Sequence, residues 1–173
     1  MKTMCFEAAP VLVVDTREQT PLPFLHLKAT RGTLTSGDYS IAGFENGFTV
    51  ERKSLADLVG SLTGERGRFE RECHRLRGYA FARLLIVGTC DQLPTLLARR
   101  KVGMKSILGS LGAIEARYSL PVVWEAAPQA AAARVEMWAW WFYREQVRPF
   151  AVMETPAFAY GPPVGRCTEG GKP

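Results

Sequence analysis

Several residue types are scarce in this 173-residue chain, and each scarcity excludes a class of protein. Of the four cysteines, Cys5, Cys73, Cys90 and Cys167, none has a partner close along the chain. That excludes a zinc knuckle and leaves free thiols in a reducing compartment as the expectation. The two histidines, His26 and His74, stand alone in sequence and read as ordinary surface or core residues. No run approaches the roughly 18 apolar residues that span a bilayer. The segment from Met1 to Pro10 has one lysine and no long apolar stretch, so it is not a secretory signal. A soluble, intracellular protein with no membrane partner is expected. No Gly-x-x-x-x-Gly-Lys-Ser/Thr sequence is present, so no helicase-type nucleotide loop is expected. There is no internal repeat.

What is present suits one globular domain. Hydrophobic residues make up 47% and charged residues 23%, enough to bury a core. The net charge is +5, a mild excess that raises the case for a nucleic-acid partner only modestly.

Val11–Val14 is a short β-branched run that reads as a buried strand ending at Asp15. Thr16–Pro23 reads as a loop. Strands are expected over Gly37–Ile41 and Phe48–Lys53, joined by a tight turn at Asn46-Gly47. Ser54-Leu55-Ala56-Asp57 fits a capping box and predicts a helix over Leu55–Leu62. Helices are also expected over Arg68–Tyr79, Gln92–Ala98, Ser106–Tyr118 and Ala130–Glu145, and strands over Arg83–Gly88 and Pro121–Trp124. The alternation gives an α/β fold, a mixed sheet flanked by helices. A single globular domain would occupy residues 1–149, followed by a loose Pro/Gly-rich tail at 150–173.

The chemistry concentrates around the hairpin. Glu51 and Lys53 are two residues apart on a strand and share a face, while Arg52 points the other way with Phe48 and Val50. Asp38 precedes the turn. An equal-armed hairpin through Asn46-Gly47 would set it opposite Leu55, so a bulge or longer loop is needed to bring it to Glu51. Asp15, at the end of the neighbouring strand, could complete the cluster. Phosphodiester cleavage needs this combination: carboxylates for a hard cation such as Mg²⁺, and a lysine to orient water and offset charge. Glu-x-Lys alone also fits an exposed salt bridge on a strand.

The words around that pair are more specific. Val13-Val14-Asp15-Thr16-Arg17-Glu18, then Gly37-Asp38-Tyr39, then Val50-Glu51-Arg52-Lys53-Ser54-Leu55-Ala56-Asp57-Leu58 occur in one order. The stretch from about Val11 to Glu125 resembles the nuclease domain of the XPF family of structure-specific endonucleases. The resemblance implies a restriction-endonuclease-like core and a Mg²⁺-dependent DNA endonuclease, with Mn²⁺ as a substitute. It implies that Asp38 and Glu51 bind the metal, that Asp15 supports it directly or through water, and that Lys53 works on the water. Arg17, Glu18 and Arg52 match positions in or beside the family site, with Arg52 aimed away from the metal. Asp57 matches as well, although it serves equally as a helix cap. Arg68 matches a basic position suited to a phosphate.

The chain departs from the family in lacking a recognisable tandem helix-hairpin-helix domain after Glu125. The expectation is a stand-alone nuclease domain acting on branched or junction DNA in repair or recombination. A bacterial or phage-infected cytoplasm, near the nucleoid, would suit it, with a separate protein to supply DNA targeting. A non-catalytic DNA-binding scaffold is the alternative, disfavoured because no expected acid or lysine is missing. Arg99, Arg100, Lys101 and Lys105 form a basic loop without nearby acids and are expected to meet phosphates. Arg66, Arg68, Arg71, Arg75 and Arg77 alternate with Glu65, Glu70 and Glu72, which suits a DNA-facing surface or a solvated, ion-paired helix. Trp138, Trp140, Trp141, Phe142 and Tyr143 crowd all faces of the last helix. They are expected either under the sheet and tail or in a homodimer interface.

Overall fold

The computed structural model describes residues 9–98, 100 and 102–147. The expected tail at 150–173 and the candidate phosphate contacts Arg99 and Lys101 lie outside the described residues. Six strands form one mixed sheet: β1 (Leu12–Asp15), β2 (Ala29–Gly32), β3 (Tyr39–Ile41), β4 (Phe48–Ser54), β5 (Phe81–Val87) and β6 (Val122–Glu125). The spatial order is β2-β1-β3-β4-β5-β6. β1 runs parallel to β2 and antiparallel to β3, β3 is antiparallel to β4, and β4, β5 and β6 are mutually parallel. Among the described residues, five α-helices flank the sheet, α1 (Leu55–Thr63), α2 (Arg66–Leu76), α3 (Leu93–Leu97), α4 (Met104–Tyr118) and α5 (Pro128–Val147), with a short 3-10 turn at Cys90–Gln92 before α3. The α/β, restriction-endonuclease-like reading is what the chain adopts.

Strand alternation sorts the two cores. Phe48 and Val50 of β4 and Leu85 of β5 face α5, where they meet Leu12, Val14, Tyr39, Ile41, Ala132, Val135 and Ala139. Leu84 and Ile86 face the opposite way, against Leu58, Val59, Leu62, Phe69, Cys73, Leu76, Ile107 and Leu111 from the other helices. Each buried Val, Leu, Ile or Phe among them stabilises the fold by about 1.5–3 kcal/mol. Parallel β4, β5 and β6 are connected by helices, as parallel strands require. The crowded aromatics of α5 are largely absorbed by this packing. Trp138, Phe142 and Tyr143 pack on Phe44, Phe48 and Phe81, leaving Met137 and Trp141 exposed.

Two local readings need correction, and one strand was not foreseen. The β3–β4 connection is not a two-residue turn at Asn46-Gly47. It is a six-residue loop, Ala42–Gly47, in which Gly43 takes the left-handed conformation, and Phe44 O accepts from the amides of Gly47 and Phe48. The aromatic contact of Phe44 with α5 anchors the loop and overrides the local turn signal. β2 had no sequence signal: it is an exposed edge strand with no apolar alternation, held by its parallel pairing to β1. Lys105, expected on a loop, lies in the first turn of α4, which begins at Met104.

Candidate active site

The longer hairpin loop brings the acids together. Tyr39 pairs with Val50, so Asp38 falls opposite Glu51, one step beyond the ladder. Two hydrogen bonds fix that register: Asp38 N–H donates to Val50 O at 2.9 Å, and Arg52 N–H donates to Asp38 Oδ2 at 2.7 Å. Gly37, at φ +80°, makes the turn into the strand. A Cβ there would lie 2.0 Å from Thr49 Oγ1, so no other residue fits without displacing Thr49.

Asp38, Glu51 and Lys53 line a cleft of about 380 Å³ at the C-terminal end of β4, walled by α1 and α2. Strand carboxyl ends are where open α/β sheets place ligands. Lys53 Nζ lies 2.8 Å from Glu51 Oε1, 3.6 Å from Glu72 Oε2 and 4.8 Å from the centre of the Phe69 ring. Burial, reinforced by the charge of Asp38, pushes the Glu51 carboxyl well up from its ordinary value. Burial likewise raises Asp38, with Glu18 adding to the effect and the Arg52 amide opposing it. For Lys53, burial favours the neutral amine, but Glu51 and Glu72 outweigh it and hold the ammonium above the usual lysine range. Six carboxylates and four cationic side chains line the cleft, two negative charges in excess when all are ionised.

Asp15 lines the same cleft but its oxygens are occupied. Oδ1 accepts from Arg17 N–H and Nε, and Oδ2 accepts from Arg17 Nη2 and Leu34 N–H. That fills the roughly four acceptor positions of a carboxylate. Among the described residues, no group of three His, Cys, Asp or Glu side chains is placed to hold a metal ion. The donor set is thus Asp38 and Glu51, with Asp15 engaged behind them. One or two carboxylates completed by water and phosphate oxygens is the environment Mg²⁺ favours, so the residues present fit that ion.

Glu18 and Arg52 lie on the other face of the sheet. Arg52 donates to Glu18 through Nε at 3.0 Å and Nη2 at 3.1 Å, and Thr20 N–H donates to Glu18 Oε1 at 2.8 Å. Burial raises the Glu18 carboxyl, yet these donors outweigh it and leave it below its ordinary value. The pair braces β4 from behind and does not line the cleft.

Arg68 reaches the cleft and is paired with Glu65 at 3.2 Å, both largely exposed. Arg100 and Lys105 are exposed and lie outside the cleft lining. Asp57 lines the cleft and also caps α1. Its N–H donates to Ser54 Oγ, and the Ser54 hydroxyl donates to its Oδ2 at 2.6 Å, in place of the reciprocal amide bond of a full capping box. Sequence reasoning missed Ser36, Phe69 and Glu72 as cleft residues. The spacing of Phe69, Glu72 and Cys73 on one helix face was the available signal.

The ERCC4 domain model matches residues 14–135. No curated protein matches the chain. Among solved structures, XPF from Aeropyrum pernix is similar at 24% identity and a TM-score of 0.67, covering 87% of this chain and 70% of that one. The same archaeal protein in complex with DNA is similar at 23% identity and a TM-score of 0.63, covering 79% of this chain and 66% of that one. These likenesses establish the fold, and the family match spans most of the described residues, the cleft acids and Lys53 included. The chain belongs to the ERCC4 domain family, the family of the XPF nuclease domain.

Proposed function

We propose that this protein is a divalent-metal-dependent DNA endonuclease. The observation that carries the reading is the convergence of Asp38, Glu51 and Lys53 in one cleft with two negative charges in excess. Asp38 and Glu51 would hold Mg²⁺, with Mn²⁺ as a substitute, and Asp15 would support them through water or through Arg17. When bound, such an ion polarises the scissile phosphate and acidifies a water. Lys53, held as an ammonium, donates hydrogen bonds to the attacking water or a phosphate oxygen and offsets developing negative charge. It does not act as a base. Phe69 and Glu72 keep it in the cleft. Behind the strand, the Glu18–Arg52 pair holds the register that sets Asp38 opposite Glu51.

DNA is the proposed substrate because the similar archaeal XPF is a structure solved with DNA, and the ordered motifs that resemble structure-specific endonucleases narrow the proposal to branched DNA in repair or recombination. A homodimer through α5 would use exposed Met137 and Trp141. A separate DNA-targeting protein and a location at the bacterial nucleoid accompany this reading. Incubation with single-stranded, duplex, flap, fork and four-way DNA, with Mg²⁺ and with EDTA, tests it. Nicking of a branched substrate in Mg²⁺ alone, lost in Asp38→Asn, is expected. Metal-independent binding with no cleavage of any substrate would instead make the protein a scaffold.

A further inference from the structure

The cationic side chains of the cleft differ in what balances them. Arg17 is paired with Asp15, Lys53 with Glu51 and Glu72, and Arg68 with Glu65. Arg75 lines the same cleft, is exposed, and has no acidic partner among the described residues. It is nonetheless fixed. Its Nε donates to Ser36 Oγ at 3.1 Å. Ser36 is buried and its carbonyl accepts from Thr49 Oγ1 at 3.0 Å. Thr49 in turn sits against Gly37, where there is no room for a side chain. A chain of close contacts therefore runs from β4 through the loop preceding β3 to a guanidinium on α2. A bond from Nε leaves the other nitrogens of the fork free to meet an anion.

We propose that Arg75, held by Ser36, is a binding site for a backbone phosphate of the nucleic-acid strand beside the one being cut. The inference rests on the nuclease reading above and deepens it. Arg75 lies three residues from Glu72, a little under one turn or about 4.5 Å along the helix axis, so it sits beyond the partner of Lys53. A strand whose scissile phosphate lies at Asp38, Glu51 and Lys53 then presents a neighbouring phosphate to Arg75. The contact is electrostatic and independent of base sequence. It gives the acidic cleft an anchor for a polyanion that needs no divalent cation.

The test uses the full chain, a fluorescent forked duplex and Ca²⁺ in place of Mg²⁺, with affinity measured by anisotropy across a range of monovalent salt. Losing one phosphate contact lowers the slope of log affinity against log salt by about 0.9. Arg75→Gln is therefore expected to bind roughly eightfold more weakly at 0.1 M salt, with the difference closing toward 1 M. Ser36→Ala keeps the charge and should weaken binding less, with the wild-type slope retained. Arg77→Gln, on an exposed residue outside the cleft lining, should change neither quantity. Wild-type slope in Arg75→Gln, or an equal loss in Arg77→Gln, overturns the phosphate site while leaving the nuclease reading intact. Failure of the wild-type chain to bind the fork overturns both.

Discussion

Replacing Asp38 by asparagine should stabilise the metal-free protein while abolishing cleavage. Burial raises the Asp38 carboxyl from 3.8 to about 6. An acid raised on folding binds its proton more tightly in the native state, so stability falls as pH rises through that window. Below 3.8 the group is protonated folded or unfolded and contributes nothing; above 6 the penalty is complete. At 1.36 kcal/mol per pH unit the ceiling is about 3 kcal/mol. Solvent access and relaxation reduce it to about 1–2 kcal/mol. Asparagine removes the charge and can still accept the 2.7 Å bond from the Arg52 amide. In EDTA at pH 8, Asp38→Asn should melt roughly 3–6 °C above wild type, and the gap should close near pH 4. Saturating Mg²⁺ should reverse the order, since an ion at a hundredfold its Kd adds about 2.7 kcal/mol to wild type. Thermal melts of both proteins, with and without metal, decide the matter. A variant melting at or below wild type in EDTA at pH 8 would refute the claim that these carboxylates are held against their own electrostatics.

Other outcomes follow from the same geometry. Lys53→Met should lower kcat by roughly 10²–10³ with little change in KM, since the ammonium acts on charge that develops in the transition state; equal loss in KM would point to simple substrate binding. Arg52→Ala leaves Glu18 buried without its partner and should cost about 3–5 kcal/mol in urea unfolding. Because the Glu18 carboxyl lies below its ordinary 4.5, the wild-type stabilisation is present above that pH and lost as pH falls through the lower folded value. The variant should lack that acid limb. Gly37→Ala forces a Cβ against Thr49 Oγ1 at φ +80° and should cost more than about 1 kcal/mol, with a matching loss of cleavage as Asp38 shifts. Chemical unfolding and a turnover assay on the same preparation would show whether the two losses travel together.

The cleft-facing side of β4 was readable because strand geometry is rigid. A two-residue spacing necessarily puts Glu51 and Lys53 together and sends Arg52 to the other side, where it finds Glu18. The buried strands were readable because β1 and β5 carry β-branched and aliphatic runs. β2 was not, because Ala29-Thr30-Arg31-Gly32 buries little and owes its conformation to a neighbour 17 residues away. The hairpin register was also hidden. Asn46-Gly47 is a strong local signal, but Phe44 gains more by packing on Phe142 and Tyr143 than the chain gains from a tight turn. The ordered motifs implied that Asp38 and Glu51 belong together; the loop that makes it possible depends on a helix nearly a hundred residues further on. Glu72 and Phe69 escaped notice because only the docking of α2 on α1 brings them to Lys53.

A single carboxylate oxygen, Glu136 Oε1 of α5, accepts the consecutive amides of Leu25, His26 and Leu27 at 2.9, 2.6 and 2.9 Å. Those amides precede β2 and lie 109 to 111 residues from the acceptor in sequence. During synthesis on the ribosome, the connection between β1 and β2 therefore lacks its anchor until nearly all the described chain has emerged. α5 acts as a clasp that fastens the connection between β1 and β2, and the edge strand should be the latest part of the sheet to become protected from solvent exchange. The three amides are in effect a built-in stopwatch: their protection in a pulse-labelling experiment would mark the moment α5 docks.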